Sequence, residues 1–291
     1  MGALTFTYPR QSSDIVLAAE SADPAWPARV FAACDMIGRP GVLQWGHYMR
    51  RVERDLRAAV NRERPVDLEA LTALVRRVLR THNEIVRLIR QRHDHTAFGF
   101  CLAVAAIWGS EARIHWLGDC RAYRLRGGRV QCLTRDQNRL QAAVEEAGDK
   151  GLTLFINEMA SLSHQLDGFL GMEGEAEMDA LLDAQEVRVR FDGETALLLA
   201  TDGLFMPLVR SRMDETNHRL TPGDLRAEME IARLLAEADP TEKASLAVRW
   251  QRRAEHLAGA ALQAGRRHRH YRDDIAFVLL HPSDEPVEAR A

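Results

Sequence analysis

The sequence predicts an α+β fold with largely antiparallel sheets, and three observations favour it. Apolar residues recur every three or four positions along three long stretches, which is the period of a surface helix. Between these stretches lie short apolar or alternating runs, the pattern of β-strands, and tight-turn residues join several of them. Helix pairs are therefore separated by groups of strands, an order that differs from a regular βαβ alternation.

Each predicted helix has a recognisable start, stripe or end. The first carries an apolar stripe over residues 45–60. The second begins after Pro65, has Asp67 as its N-cap, and buries an apolar face. Its opposite face carries five arginines, which we interpret as a solvated surface, with contact to phosphate as the alternative. The third runs from Leu246 and is predicted to stop at Gly265.

Strands are predicted where apolar runs are short. They cover residues 4–8, 14–19, 29–34, 97–107, 113–117 and 275–280. The pair Gly127-Gly128 is a strong signal for a two-residue hairpin. A second strand pair is predicted where residues 186–191 turn at Asp192 and return as residues 195–201.

Charge and hydropathy exclude some classes of function. The 39 Lys+Arg residues are balanced by 42 Asp+Glu, for a net charge of -3. The basic excess of a nucleic-acid-binding protein is therefore missing, and nucleic acid is not an expected partner. The longest apolar run, residues 97–108, is too short to cross a bilayer, and the N-terminus shows no signal-peptide pattern. We expect a cytoplasmic protein without a membrane partner.

No Pro-, Gly- or Ser-rich linker divides the chain, so residues 1–291 are interpreted as a single domain. Its core is expected at about residues 4–282, followed by a C-terminal tail at residues 283–291. The sequence has four cysteines, Cys34, Cys101, Cys120 and Cys132. Because none forms a C-x-x-C pair, we interpret them as free thiols rather than as a zinc site.

Four aspartates lie where predicted strands end or begin. Asp35 follows the strand at residues 29–34, Asp119 and Asp202 follow two later strands, and Asp273 precedes the last strand. A single Asp-Gly pair is most simply a turn. A carboxylate at the end of a buried strand is costly unless it is solvated, hydrogen-bonded or bound to metal. Oxygen ligands suit Mg²⁺ and Mn²⁺, so four such acids together favour a site for hard divalent cations.

The same segments resemble the motifs of a known family. GDCRAY begins at Gly118 and is followed by the Gly-Gly hairpin and by LTRD at Leu133. LLATDGLF begins at Leu198, RDDIA begins at Arg272, and FAACDMIG begins at Phe31. In order and spacing they are similar to GDSRxY, LTxDH, LLxSDGLW, D[DN]IT and VADGMGG of the metal-dependent protein phosphatases. These are the type 2C serine/threonine phosphatases.

The resemblance implies a four-layer αββα sandwich, in which two antiparallel β-sheets are flanked by helix pairs, with a binuclear metal centre at one end. Asp35 would bridge two Mn²⁺ or Mg²⁺ ions, and the main-chain carbonyl of Met36 would bind one of them. Asp202 and Asp273 would hold the other ion. Asp119 matches the acid that supports a third ion in bacterial members.

Two further groups of residues are candidates for contact with substrate. The only match to the family motif RxxNED is the segment from Arg10 to Asp14, which is one residue short. By this resemblance Arg10 would grip the phosphate, because a guanidinium can bind two of its oxygens, and Asp14 would orient metal-bound water. Arg266 and Arg267 begin a basic run, which we interpret as a guide for phosphorylated substrate. Nucleic-acid binding, a metal pair of histidines and a solvated turn are the alternatives.

The implied reaction is hydrolysis of phosphoserine and phosphothreonine in proteins by a metal-activated water, without a covalent intermediate. Such an enzyme would act on a phosphorylated protein and oppose a serine/threonine kinase. The alternative is a pseudophosphatase, a regulatory module that binds phosphoproteins with weak or absent catalysis. It is suggested by departures from the family pattern: Met36 and Arg39 replace glycines, Ser12-Ser13 replaces Asn-Glu, and Gln137 replaces a histidine.

Overall fold

The computed structural model describes most of the chain. It covers residues 1–8, 14–23, 25–38, 45–92, 98–154, 156–172, 175–213, 219–238, 244–267 and 273–282. Several features named above lie outside the described residues: Arg10, Ser12-Ser13, Arg39, residues 268–272 and the tail at 283–291.

Within this part of the chain the strands follow the predicted order. They are β1 (Gly2–Tyr8), β2 (Ile15–Glu20), β3 (Ala28–Ile37), β4 (Gly99–Trp108), β5 (Glu111–Leu117), β6 (Arg121–Arg126), β7 (Arg129–Cys132), β8 (Leu152–Thr153), β9 (Val187–Arg190), β10 (Ala196–Ala200), β11 (Arg219–Leu220) and β12 (Ile275–His281). The helices are α1 (Trp45–Glu63), α2 (Leu68–Arg92), α3 (Arg139–Ala147), α4 (Ile156–Ser163), α5 (Glu175–Ala184), α6 (Asp202–Met213), α7 (Glu228–Glu237) and α8 (Leu246–Arg267).

Two five-stranded antiparallel sheets pack face to face. The first has the strand order β1-β12-β10-β6-β7, and the second has the order β2-β3-β4-β5-β9. Helices α6, α7 and α8 cover the outer face of the first sheet, and α1 and α2 cover that of the second. The predicted α+β sandwich, with two antiparallel sheets between helix layers, is confirmed. No helix in the described ranges combines the length and apolar character needed to cross a bilayer.

Each interface between layers has its own apolar core, as alternating side chains on a buried strand require. The layer between the sheets contains Phe31, Ile114 and Val278, all at most 1% exposed. A second core joins α1 and α2 to their sheet, and a third joins α6, α7 and α8 to theirs. The two sheets therefore form a rigid support for the loops at their ends.

Three predictions at element boundaries are wrong. The runs around Asp192 do not form a hairpin, because β9 pairs with β5 in the second sheet, whereas β10 pairs with β6 and β12 in the first. Asp35 does not follow its strand but lies within it, since β3 continues to Ile37 and pairs with β4 as far as Gly99. Helix α8 continues past Gly265 to Arg267.

The start of α2 and the first hairpin agree with the predictions. The carboxylate of Asp67 accepts a hydrogen bond from the backbone N–H of Ala70 at 2.7 Å, as an N-cap does. Gly127 and Gly128 have φ angles of 55° and 74° in the β6–β7 turn. Arg76, Arg77 and Arg80 of α2 pair with acids of neighbouring elements, as Arg76 does with Asp183 at 2.8 Å, whereas Arg87 pairs with Glu84 in the same helix. This face therefore carries ion pairs.

Candidate metal centre

Five aspartates from different elements meet at one end of the sandwich. Asp14 directly precedes β2, Asp35 lies in β3, and Asp119 follows β5. Asp202 is the first residue of α6, and Asp273 lies two residues before β12. The mutual influence of their charges shows that they share one electrostatic environment: Asp14, Asp202 and Asp273 all act on Asp35, and Asp119 acts on Asp202.

Strand pairing brings two of these acids together. Ile15 pairs with Cys34 in the antiparallel β2–β3 register. Asp14, which precedes Ile15, and Asp35, which follows Cys34, are therefore neighbours. At the other sheet, the Thr201 hydroxyl accepts a hydrogen bond from the backbone N–H of Ala276 at 3.0 Å. This bond holds the end of β10 against the start of β12. Asp202 and Asp273, which flank these strand ends, are thereby held at the same edge.

Gly203 allows α6 to begin where it does. A Cβ atom at this position would lie 1.8 Å from the carbonyl oxygen of Asp274. No side chain fits in that space, so the turn from β10 into α6 approaches the start of β12 only with glycine. The carboxylate of Asp202 consequently lies in the first turn of α6, where the free N–H groups and the helix dipole favour negative charge.

Gly118 has the corresponding role below Asp119. Its φ angle is +82°, and a Cβ atom would lie 2.2 Å from Sγ of Cys101. The loop is fixed from the other side by Gln137, whose Oε1 accepts a hydrogen bond from the Gly118 N–H at 2.8 Å. Gln137, which replaces a histidine of the family pattern, therefore supports the backbone next to Asp119.

Burial and mutual repulsion raise the pKa of each buried acid. Burial raises the pKa of Asp14 to about 8, and interaction with the Asp35 and Thr201 side chains opposes part of that rise. Burial, then the charges of Asp14 and Asp202, hold the pKa of Asp35 well above its usual range. Burial, then Asp273, does the same to the pKa of Asp202. The pKa of Asp119 is raised to about 7, first by burial and then by Asp136.

The donor set fits hard divalent cations. Asp119 and Asp202 are each 8% exposed, and one oxygen of each carboxylate is buried without a hydrogen-bond partner among the described residues. A buried, unbonded carboxylate oxygen costs free energy that a cation offsets. Carboxylates that raise one another's pKa values repel one another when charged, and a bound cation offsets that repulsion as well. Mg²⁺ and Mn²⁺ prefer such oxygen ligands, with water in the remaining positions.

A groove opens beside these acids. It has a volume of about 470 Å³ and lies between α6, α8 and the end of β1. Asp273, Asp274, Arg266, Leu262 and Tyr8 are among the residues that line it. Acidic, basic and apolar side chains thus share one groove.

Known structures resemble this chain over almost its whole length, although no family model and no curated protein matches it. The serine/threonine phosphatase Stp1 of Staphylococcus aureus has a TM-score of 0.65 and 17% identity, covering 97% of this chain and 94% of that one. The PPM Ser-Thr phosphatase MsPP of Mycobacterium smegmatis has a TM-score of 0.58 and 18% identity, covering 97% and 98%. PppA, described as a regulatory component of T6SS in Pseudomonas aeruginosa, has a TM-score of 0.58 and 18% identity, covering 96% of each chain.

The chain has the fold of the PPM-type serine/threonine phosphatases. The family resemblance of the sequence motifs is thereby confirmed at the level of the fold. Within this phosphatase fold, Asp14, Asp35, Asp119 and Asp202 form one buried or half-buried cluster, and the exposed Asp273 lies at its edge.

The remaining predicted site residues lie at different distances from that cluster. Met36 follows Asp35 in β3, is half-buried, and pairs with Phe100. Arg266 lines the groove beside Asp273, whereas the exposed Arg267 is outside the described lining. Arg10 lies outside the described residues. Of the three predicted arginines, the structure therefore places only Arg266, among the two it describes, beside the acids.

Sequence analysis assigned no role in the site to Thr201, Gln137 or Cys101. Thr201 and Gln137 act through hydrogen bonds to backbone that is distant in sequence, which no local pattern reveals. Cys101 pairs with Asp35 across β3 and β4, and its Sγ lies within 4.8 Å of carboxylate oxygens of both Asp35 and Asp119. Its position in the strand next to β3 was the one signal in the sequence, and it places Cys101 beside Asp35 only once the β3–β4 register is known.

Proposed function

We propose that this chain is a metal-dependent phosphatase that hydrolyses phosphoserine and phosphothreonine in proteins. The observation that carries the proposal is the convergence of Asp35, Asp119, Asp202 and Asp273 at one end of a Ser/Thr phosphatase fold. A carboxylate cluster of this kind suits two Mn²⁺ or Mg²⁺ ions, with a third near Asp119. The reaction needs no nucleophile from the protein and forms no covalent intermediate.

The acids have separate roles in this proposal. Asp35 would be a ligand of both ions, and the carbonyl of Met36 a further ligand of one of them. Asp202 and Asp273 would hold the second ion. Asp14 would orient a water molecule by hydrogen bonding. Two divalent cations supply a nucleophilic water near neutral pH and positive charge for the phosphoryl oxygens.

Cationic side chains orient the substrate. Arg10 grips two phosphoryl oxygens with its guanidinium, a geometry that a lysine could not supply. Arg266, from the groove beside Asp273, contacts acidic or phosphorylated parts of the protein substrate, and Arg267 adds positive charge nearby. Most of the rate enhancement then comes from positioning and electrostatic stabilisation of the transition state. A serine/threonine kinase would add the phosphoryl groups that this phosphatase removes.

The first test is hydrolysis of p-nitrophenyl phosphate and of a phosphothreonine peptide with Mn²⁺ or Mg²⁺. We expect metal-dependent turnover that EDTA abolishes. Asp35→Asn and Asp202→Asn should reduce it to the background rate, because an amide keeps the shape but loses the charge that holds a cation. Asp183→Asn is the matched control: its carboxylate is 61% exposed and pairs with Arg76 outside the cluster, so turnover should be retained.

A regulatory phosphoprotein-binding module is the second candidate, favoured by the replacement of Asn-Glu by Ser12-Ser13 and of two glycines by Met36 and Arg39. This candidate predicts no turnover at any Mn²⁺ or Mg²⁺ concentration, together with retained binding of a phosphothreonine peptide. That pair of results, measured on the folded wild type, would exclude the enzyme.

A further inference from the structure

Cys101 lies inside the acid cluster. Its Sγ and one carboxylate oxygen each from Asp35 and Asp119 all lie within 4.8 Å of one another. Two features fix the thiol there. Cys101 is the β4 partner of Asp35. Its Sγ also occupies the space next to Gly118 where any other residue would put its Cβ.

The triad of Asp35, Cys101 and Asp119 lies in surroundings that favour a bound cation. Cys101 is 0% exposed and Asp119 is 8% exposed, so neither has free access to bulk water. Asp119 Oδ1 is buried and has no hydrogen-bond partner in the described ranges, although the thiol of Cys101 interacts with this carboxylate by hydrogen bonding. The buried carboxylate and the thiol thus present one oxygen and one sulfur donor toward the half-buried Asp35.

We propose that Cys101 is a sulfur ligand of a divalent cation shared with Asp35 and Asp119. This inference rests on the metal centre of the proposed function and adds a ligand to it. Thiolate favours borderline cations such as Zn²⁺ and Co²⁺ over Mg²⁺. Ligand atoms on a tetrahedral zinc ion are about 3.5 Å apart, given bonds of about 2.3 Å to sulfur and 2.1 Å to oxygen. The triad therefore needs only a small closure.

The ligation step is a proton exchange without oxidation. The S–H bond of Cys101 breaks, the proton passes to water or buffer, and the sulfur electron pair forms the bond to the cation. Two carboxylates and one thiolate supply three negative charges to a dication, and water completes the coordination. The chain would consequently bind Co²⁺ or Zn²⁺ more tightly than Mg²⁺ at this position.

The test is optical titration of the metal-stripped full chain with Co²⁺. We expect a thiolate-to-cobalt charge-transfer band in the near ultraviolet. Cys101→Ser should lose this band and bind Co²⁺ at least tenfold more weakly, while still showing a Co²⁺-dependent shift in melting temperature. Cys132→Ser is the matched control, because its thiol lies in β7 near the Thr134 carbonyl, and it should keep the band.

Three results would overturn the inference: Co²⁺ binding to the wild type without the band, the band persisting in Cys101→Ser, or no Co²⁺ binding at all. Cys120→Ser identifies the sulfur, since Cys120 is also buried near Asp35 and Asp119, and loss of the band only in that variant would contradict the assignment. If Cys101→Ser fails to fold, Cys101→Ala takes its place. Mn²⁺-dependent hydrolysis without the band would support the proposed phosphatase function and contradict the Cys101 ligand. The band without hydrolysis would support the Cys101 ligand and contradict the phosphatase function.

Discussion

Asp14 is the most deeply buried acid of the aspartate cluster, at 0% exposure. Its pKa of about 8 means that, without a cation, Asp14 retains its proton at neutral pH, while burial and the charge of Asp14 hold the pKa of Asp35 well above its usual range. A dication offsets the repulsion between such acids by replacing their protons. Metal binding in the proposed centre would therefore be linked to proton release.

His115 is a buried histidine outside the metal centre. It lies in β5 at 0% exposure, with Nε2 3.9 Å from Glu186 and with Arg76 and Arg113 bonded to the same carboxylate. Burial is the main cause that lowers its pKa to about 4, the charge of Arg76 lowers it further, and Glu186 opposes both. The imidazole is therefore neutral in the folded protein at neutral pH.

This shift makes the free energy of unfolding depend on pH. Below about pH 6.5 the unfolded chain binds a proton at His115, whereas the folded chain binds it only near pH 4. The free energy of unfolding therefore falls as the pH is lowered from about 6.5 to about 4. Relative to His115→Gln, the wild type should lose roughly 2–3 kcal/mol between about pH 7 and pH 4.5 in urea unfolding experiments. His256→Gln removes an exposed imidazole and should change the pH dependence far less. Parallel curves for wild type and His115→Gln would contradict the argument.

Individual residues differ in how far sequence predicts them. Asp35, Asp119, Asp202 and Asp273 were selected because each lies beside the end or start of a predicted strand, a position visible in a local pattern, although β3 continues past Asp35 to Ile37. Cys101 was interpreted as a plain free thiol, because its nearness to Asp35 depends on the β3–β4 register and its nearness to Asp119 on the positive φ of Gly118. Such proximity arises between strands and leaves no trace in spacing along the chain.

At the scale of elements, Arg121 joins several segments beneath the metal centre. Its guanidinium bonds to both oxygens of Asp136 at 2.7 Å and to the Leu225 carbonyl at 2.9 Å. It also lies 4.0 Å from the ring centroid of Phe205 in α6. One side chain of β6 thus links the loop after β7, the loop before α7 and the helix that begins at Asp202.

Arg121→Leu should destabilise the fold by about 3–5 kcal/mol, because it leaves the Asp136 carboxylate buried without its partner. The double variant Arg121→Leu/Asp136→Leu should lose less than the single variant, since it removes the orphaned charge as well. Urea unfolding measures both. The control is Arg233→Leu, which breaks exposed pairs with Glu230 and Glu237 and should cost at most about 1 kcal/mol. Equal losses at the two arginines would show that burial of the ion pair has no special importance.

Pairing between elements is the part of the fold that sequence predicted least well. Alternation identified β9, and an apolar run identified β10, but neither pattern says which sheet a strand joins. β9 is an edge strand with alternating exposure, whereas β10 is buried throughout between β12 and β6. The short link at Asp192 therefore crosses from one sheet to the other, and a turn signal alone could not distinguish this from a hairpin.

At the scale of the whole molecule, both sheets contribute acids to the same end of the sandwich. Asp14, Asp35 and Asp119 belong to the second sheet, whereas Asp202 and Asp273 flank strands of the first. A cation held by both groups would connect the two halves across the apolar layer that contains Phe31 and Val278. Metal binding should consequently stabilise the whole fold and not only a loop.

Excess Mn²⁺ should therefore raise the melting temperature of the EDTA-treated protein. A ligand at about a hundredfold its dissociation constant adds about 2.7 kcal/mol, which corresponds to a rise of roughly 4–5 °C for a chain of this size. Asp202→Asn should act in two opposite directions. It should raise the melting temperature of the metal-free protein, because it removes a buried carboxyl group that, beside Asp273 and Asp119, must either carry a repelled charge or take up a proton on folding. It should also reduce the Mn²⁺-induced rise, because a metal ligand is lost.

Differential scanning calorimetry with and without Mn²⁺ separates these two effects. Asp183→Asn, which removes an exposed carboxylate of α5, should keep the full metal-induced rise. A wild type whose melting temperature is unchanged at every Mn²⁺ and Mg²⁺ concentration would contradict a cation that joins the sheets. An Asp202→Asn variant that is less stable without metal would instead show that Asp202 stabilises the start of α6 more than it repels its neighbours. The sign of that one difference thus decides whether the acid cluster is a strained site that metal relieves or a set of helix and turn caps.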